Sequence, residues 1–314
     1  MRGLGSPVEV RVEPGQRDAS PSGGRLLGID FGGTKMAVGV ADLQGRLLAR
    51  ERVPTYAEKG AVQALDRALD LAATLVGQTG PGGPLLAAGV ASPGVVHSDG
   101  VDLAPNVPGW DRLRLADAVR DRLGVTLVPV ANDLNAAALA ELRLGALRDA
   151  DPGLVVGLGT GVAAAVTVGG RVVAGQHGAA GEIGYAPTGG FPGTMLESVF
   201  SGRALDQLAG SLGIPGGAAG LGAHAATPGP ARDALLARVD ELARHLATCC
   251  LLLDPRRVVL VGGVAGSDLI RGLLADRLAE VLPHPPELVL SGFADDAALL
   301  GAVTMAREAV PTYQ

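Results

Sequence analysis

The sequence predicts a duplicated α/β fold, with two similar domains facing each other across a cleft. Three observations carry this expectation. A strand, a Gly/Thr turn, a second strand, a hairpin and a third strand run through L-L-G-I-D-F-G-G-T-K, M-A-V-G-V-A-D, Q-G-R and L-L-A. The same order recurs in L-V-V-G-L-G-T-G, V-A-A-A-V-T-V, G-G-R and V-V-A-G, with little identity between the copies. Finally, 314 residues with 47% hydrophobic and 18% charged side chains suit about two domains with a large core.

Residues 1–24 read as a loose extension in which V-E-V-R-V alternates as an edge strand would. Residues 25–131 read as a smaller α/β domain, completed by a C-terminal helix over about 297–314, and residues 132–296 as a larger one. After the first three strands, apolar residues at helical spacing mark A-V-Q-A-L-D-R-A-L-D-L-A-A-T-L-V. P-L-L-A-A-G-V-A is a strand ending at S-P-G-V-V. A loop, A-P-N-V-P-G-W, leads to a short helix around Leu113 to Leu123. V-T-L-V-P-V-A is a strand ending at N-D-L-N, where a helix begins. Beyond Met195 the pattern is mostly helical. R-V-V-L-V-G-G-V and E-L-V-L-S are late strands, and D-D-A-A-L-L-G-A-V-T-M-A-R-E-A is the last helix.

Composition excludes several classes. The net charge of -6 and the lack of a basic tail argue against nucleic-acid binding. No apolar run is long enough to cross a bilayer, and the N-terminus lacks an apolar signal segment. A cytoplasmic protein is expected. Cys249 and Cys250 read as small core residues of one helix in a reducing compartment, not as a disulfide or a zinc site.

The chemistry lies in the turns. At G-I-D-F-G-G-T-K, Asp30 stands where a dinucleotide fingerprint needs glycine, and a strand follows instead of a helix. The Walker spacing is absent as well. Two readings remain: an ordinary glycine hairpin, or one whose N–H groups and Thr34 hydroxyl face phosphate, with Asp30 holding hydrated Mg2+. G-L-G-T-G brings Thr160 and Gly161 into a second such turn, and V-G-G-V-A-G-S brings Gly262 and Gly263 into a third. N-D-L-N is either a helix cap or a catalytic carboxylate, Asp133, able to take a proton from a hydroxyl as it attacks phosphorus. Asn106, Glu182, Tyr185 and Glu197 add hydrogen-bonding groups suited to a polyhydroxylated ligand.

These motifs, with S-P-G-V-V, N-D-L-N-A-A-A-L-A-E, G-A-A-G-E-I-G-Y and L-E-S-V-F-S-G-R-A-L, occur in the order seen in ROK-family sugar kinases, which the chain resembles from about residue 25 to 308. The resemblance implies the actin-like, ribonuclease-H-like ATPase fold. It also implies phosphoryl transfer from ATP, with Mg2+, to a hexose hydroxyl, above all glucose to glucose 6-phosphate, and a homodimer. On its motifs Asp133 matches the general base. Asn106, Asn132, Glu182 and Glu197 match sugar contacts. Asp30, Gly32, Gly33, Thr34, Thr160, Gly161, Gly262 and Gly263 match nucleotide and magnesium positions, with Lys35 next to them.

Two departures stand out. Tyr185 occupies the place of a sugar-contacting histidine, and His177, in G-Q-H-G, is a nearby loop histidine within reach of substituting for it. Only twelve positions separate Tyr185 from Glu197, too few for the family's cysteine-rich zinc loop, so no structural zinc is expected. The alternatives are a kinase for N-acetylmannosamine, N-acetylglucosamine or fructose, polyphosphate as donor, and a sugar-binding regulator of the same family. For the regulator, about 24 residues before the first strand leave no room for a DNA-binding domain.

Overall fold

The computed structural model describes residues 23–80, 83–97, 100–104 and 107–311. In chain order the first part comprises β1 (Arg25–Phe31), β2 (Lys35–Ala41), β3 (Leu47–Pro54), α1 (Ala61–Gln78), β4 (Leu85–Ser92), a small β5–β6 hairpin (Val95–His97, Gly100–Asp102), α2 (Leu115–Leu123), β7 (Val130–Asn132) and α3 (Asp133–Arg143). The second part comprises β8 (Gly153–Leu158), β9 (Val162–Val168), β10 (Arg171–Val173), a β11–β12 hairpin (Pro187–Thr188, Thr194–Met195), α4 (Leu196–Val199), α5 (Gly202–Ser211), α6 (Gly217–His224), α7 (Pro230–Leu253), β13 (Arg257–Val261), α8 (Asp268–Val281) and β14 (Glu287–Leu290). The last helix, α9 (Ala297–Ala309), returns to the first part.

The repeat read from the sequence is a repeat of topology. The first sheet has the order β3-β2-β1-β4-β7 and the second β10-β9-β8-β13-β14. In each, the first three strands of the copy pair antiparallel as a meander. The fourth and fifth are added parallel to the first. This is the duplicated ribonuclease-H-like, actin-like ATPase arrangement. V-T-L-V-P-V-A is shorter as a strand than its pattern suggests. Pro129 has no N–H to give the ladder, so only Val130–Asn132 is regular, although the Pro129 carbonyl still accepts from Val90 N at 2.9 Å. V-E-V-R-V lies outside the described residues.

Contacts divide the chain into two units, one of residues up to Gly145 and from Asp296 onward, the other of Ala146–Asp295. The expected boundary at 131/132 differs from this division, because α3 packs extensively against α9 and stays with the first sheet. Strand alternation explains how the first sheet is covered. Leu27, Ile29 and Phe31 of β1 share a core with Met36, Val38 and Val40 of β2 and the apolar stripe of α1. Leu26, on the opposite face, packs with Ala41, Ala87, Val303 and Ala306.

On that opposite face three glycines lie side by side. Gly28 pairs with Gly39 on one neighbouring strand and with Gly89 on the other. A methyl at Gly89 would overlap the backbone of Ala302, and one at Gly28 would press on Val303 and the Leu299 carbonyl. The glycine row is thus a groove in which α9 lies against the strands. Gly301 does the same on the far side of α9, where a methyl would meet the Ala136 backbone of α3. In the second unit, α5, α7 and α8 close over Leu154, Val156, Leu158, Val258 and Leu260. Cys249 and Cys250 are free thiols in α7, and burial pushes Cys250 up to about 11.

Two helix glycines test this packing. Gly301→Ala is expected to cost roughly 1–3 kcal/mol by overpacking. Gly272→Ala in α8, where nothing lies within 4 Å, is expected to add about 0.5–1 kcal/mol through helix propensity. Urea unfolding of both variants checks the opposite signs; a neutral Gly301→Ala would contradict the close α3–α9 approach.

Candidate functional site

Asp30 is the penultimate residue of β1 and lies on the face of the glycine row, because it follows Gly28 by two positions. Asp133 opens α3 directly after β7. β1 and β7 are the two parallel neighbours of β4, with Asp30 opposite Ala91 and Asn132 opposite Ser92. Both carboxyls therefore stand at the carboxyl ends of parallel strands, where open α/β sheets bind ligands. Burial raises Asp30 to about 7, and the charge of Asp133 adds to this while Arg52 opposes it. Burial also raises Asp133, to about 6, against the bond it accepts from Leu134 N–H.

Asn132 fixes the start of α3. Its Oδ1 accepts from Leu134 N at 2.9 Å and Asn135 N at 3.2 Å, while Nδ2 donates to the Gly94 carbonyl at 2.8 Å. One amide thus caps the helix and ties it to the turn after β4, leaving one N–H for a ligand. Asp133 Oδ1 accepts from Leu134 N at 2.7 Å, which sets the orientation of its carboxyl. The turn is held in its own right: buried Ser92 accepts from Trp110 Nε1 at 2.9 Å and donates to the Pro93 carbonyl at 3.0 Å.

The first glycine turn exposes Gly33, Thr34 and Lys35, with Gly32 partly covered. Buried Thr55 grips it from behind: its hydroxyl donates to the Gly32 carbonyl at 2.6 Å and its N–H to the Thr34 carbonyl at 2.9 Å. Arg67 of α1 donates in turn to the Thr55 carbonyl, and its guanidinium lies over the Tyr56 ring at 5.3 Å.

The second turn, between β8 and β9, exposes Thr160. Gly159 N donates to the Gly161 carbonyl at 3.1 Å, and Glu197 Oε2 accepts from Val162 N at 3.1 Å. Gly262, at φ 97, lies so near the Leu158 carbonyl and Gly159 N that a side chain there would collide with backbone. Gly262 and Gly263 form an exposed end to β13. Tyr185 lies within electrostatic reach of both Glu182 and Glu197. Burial, then the charges of Glu182 and Glu197, push the Tyr185 phenol up, so it stays a hydrogen-bond donor.

The structure thus gathers the expected residues into two groups. Asp30, Asn132, Asp133 and the Gly32–Lys35 turn belong to the first unit. Thr160, Gly161, Glu182, Tyr185, Glu197, Gly262 and Gly263 belong to the second. Asn106 lies outside the described residues, and His177 sits exposed in a loop. The sequence reading missed Ser92, Thr55, Arg52 and Gly202, which support the site from behind. Ser92 and Thr55 carried one available signal, a small polar residue ending an otherwise apolar or alternating strand.

The charges also suit a divalent cation. Asp30 and Asp133 raise each other's cost of ionisation, and Arg52 compensates only in part, since it also pairs with Asp296 at 2.7 Å. Among the described residues no group of three or more His, Cys, Asp or Glu side chains could hold a metal. An ion at Asp30 would therefore take most of its ligands from water and phosphate, as Mg2+ does. No helix among the described residues is long and apolar enough to cross a membrane.

A ROK family profile matches residues 26–309. A glucokinase of Streptomyces coelicolor is 30% identical over 330 residues, covering 92% of this chain and 99% of that protein. Among solved structures, a ROK hexokinase from Thermus thermophilus superposes with a TM-score of 0.76 at 30% identity, covering 90% of this chain and 97% of its own. A ROK family glucokinase from Streptomyces griseus, in complex with glucose and AMPPNP, gives 0.71 at 28% identity, covering 91% and 100%.

The Asp30 carboxyl makes a prediction about stability. Unfolded, it titrates near 3.8; folded, near 7. The folded state holds the proton more tightly, so this group's contribution is full below about 3.8 and lost as pH rises through about 7. Asp30→Asn cannot ionise. It is expected to be more stable than the natural protein at pH 8 and to lose most of that advantage by pH 4. Urea unfolding at the two pH values reads the difference, and an advantage independent of pH would contradict the assignment.

Proposed function

We propose, for a chain that belongs to the ROK family and is a sugar kinase, ATP-dependent phosphorylation of a hexose hydroxyl, with glucose converted to glucose 6-phosphate. The observation that carries this reading is Asp133. It is a partly buried carboxylate at a parallel strand end, held by a helix N-terminus, with a pKa raised to about 6. A base of that strength is deprotonated at neutral pH yet stronger than an ordinary carboxylate, as proton abstraction from an attacking hydroxyl requires.

The remaining residues are assigned roles from their chemistry and the family motifs. Asn132, through its remaining N–H, would orient a hydroxyl near Asp133, and on its motif Asn106 would contact the sugar. Glu182 and Glu197 accept from sugar hydroxyls, and the Tyr185 phenol donates to one. The N–H groups and hydroxyls of the two glycine turns, Gly32 to Lys35 and Thr160 to Gly161, meet phosphate oxygens. Gly262 and Gly263 leave a bare backbone surface on which a flat nucleoside can rest. Mg2+ held near Asp30 would supply charge neutralisation on the phosphates. Because little covalent chemistry is asked of the protein, its work is positioning, proton removal and exclusion of water.

Glucose is favoured by the glucokinases to which the chain is similar. Another hexose is the second reading, and Tyr185 is the observation behind it, since a phenol is longer and less basic than imidazole. ATP is supported as donor by the AMPPNP bound in the Streptomyces griseus protein.

An ADP-release assay across glucose, mannose, fructose, N-acetylmannosamine and N-acetylglucosamine, with ATP or polyphosphate, tests the reading. Glucose with ATP is expected to give the highest kcat/KM; no turnover of any hexose would overturn the proposal. Asp133→Asn is expected to lower kcat by about 10²–10⁴ with a smaller change in the sugar KM. Near-normal kcat in that variant would remove Asp133 as the base.

A further inference from the structure

We propose that Glu197 is a positioning residue for the second glycine turn and transmits sugar occupancy to the nucleotide side of the reaction. The inference deepens the kinase reading and rests on it. Its basis is a grip at two points. Glu197 Oε2 accepts from Val162 N at 3.1 Å, at one end of the turn, and Gly202 N donates to the Gly159 carbonyl at 2.7 Å, at the other. The segment Glu197–Gly202 therefore holds the turn Gly159–Val162 as a unit. The fit is tight: a methyl at Gly161 would overlap Oε2 of Glu197, and one at Gly202 would press on the Gly159 carbonyl.

Comparison of the two copies of the fold isolates what the carboxylate adds. The first turn is gripped by Thr55, whose hydroxyl and N–H donate to the Gly32 and Thr34 carbonyls much as Gly202 N donates to the Gly159 carbonyl in the second; no carboxylate takes part. A charge is thus not needed to hold such a turn. In the second copy an anion sits against the N–H groups and glycines that receive phosphate. Its charge repels phosphate.

A sugar hydroxyl donating to Glu197 spreads that charge and fixes the carboxylate's position. The opposition to phosphate falls, and the turn is held in one arrangement. Glu182 and Tyr185, which share Glu197's surroundings, place this event within the proposed sugar site. Linkage then makes the effect reciprocal: a hexose that tightens nucleotide binding is itself bound more tightly when nucleotide is present.

The experiment is calorimetric titration of AMPPNP with Mg2+ into the full chain, with and without a saturating hexose. The hexose used is glucose, or whichever the substrate panel turns over fastest. The natural protein is expected to bind AMPPNP at least about fivefold more tightly with the hexose present. Glu197→Gln keeps a carbonyl acceptor for Val162 N–H but no charge. It is expected to bind AMPPNP alone about as tightly as the natural protein does with the hexose present, while the hexose effect falls below about twofold. Glu197→Ala loses the acceptor as well and is expected to weaken AMPPNP alone, so restoration by Gln separates position from charge. Gly161→Ala leaves the carboxylate available to sugar but displaces it from the turn; it too is expected to lose the hexose effect.

An undiminished hexose effect in Glu197→Gln would overturn the proposal, as would its absence from a natural protein that phosphorylates hexose. Should Gly161→Ala fail to fold, Glu197→Gln decides alone. Failure of the kinase reading is seen separately, as a natural protein that phosphorylates no hexose.

Discussion

The approach of α9 to the first sheet is the constraint from which the rest of that unit follows. A helix normally rides on the side chains of the sheet beneath it. Here Gly39, Gly28 and Gly89 form a row without side chains, and α9 settles onto it until Ala302 meets the strand backbone. Gly301 lets α3 close against α9 from the other side. The position of α3 along the sheet fixes its N-terminus, and with it Asn132 and Asp133. The same face of β1 carries Asp30 two residues beyond Gly28. A packing requirement in the core thereby decides that two carboxylates stand at the ends of the two strands that flank β4.

That placement has an electrostatic consequence. Each carboxyl sits where burial disfavours charge, and Asp30 also feels Asp133. Such strain is uncommon in ordinary surface chemistry and frequent where a protein handles protons or cations. The second unit solves a different problem with the same topology. Its turn faces outward with Thr160 exposed, backed by Glu197, Gly202 and Gly262. The duplication supplies two equivalent frames that hold their turns differently, by donors on Thr55 in the first and by a Glu197 acceptor with the Gly202 N–H in the second.

Much of this was legible in the chain itself. The repeated strand–turn–strand pattern led to the two sheets, and N-D-L-N was read as both cap and carboxylate, with the structure showing the cap in Asn132 and the Asp133 carboxyl held through Oδ1 by Leu134 N–H. Other features were not legible, for physical reasons. Gly28, Gly39 and Gly89 are scattered glycines until pairing register puts them in one row. The position of the unit boundary depends on α3 meeting α9, a contact between segments far apart in sequence. The shortened β7 follows from a single missing N–H at Pro129 in a stretch whose apolar pattern runs on. The supporting roles of Ser92, Thr55 and Gly202 depend on long-range hydrogen bonds that no local pattern announces.

The central claim is that Asp133, held at the α3 terminus with its pKa raised to about 6, removes the proton from the attacking sugar hydroxyl. The most direct measurement is kcat/KM for hexose-dependent ADP formation from pH 5 to 8. A base must be deprotonated to act, so the account predicts a rate that climbs with pH, bends near about 6 and then levels. A profile that stays flat across that range in an active protein would contradict it.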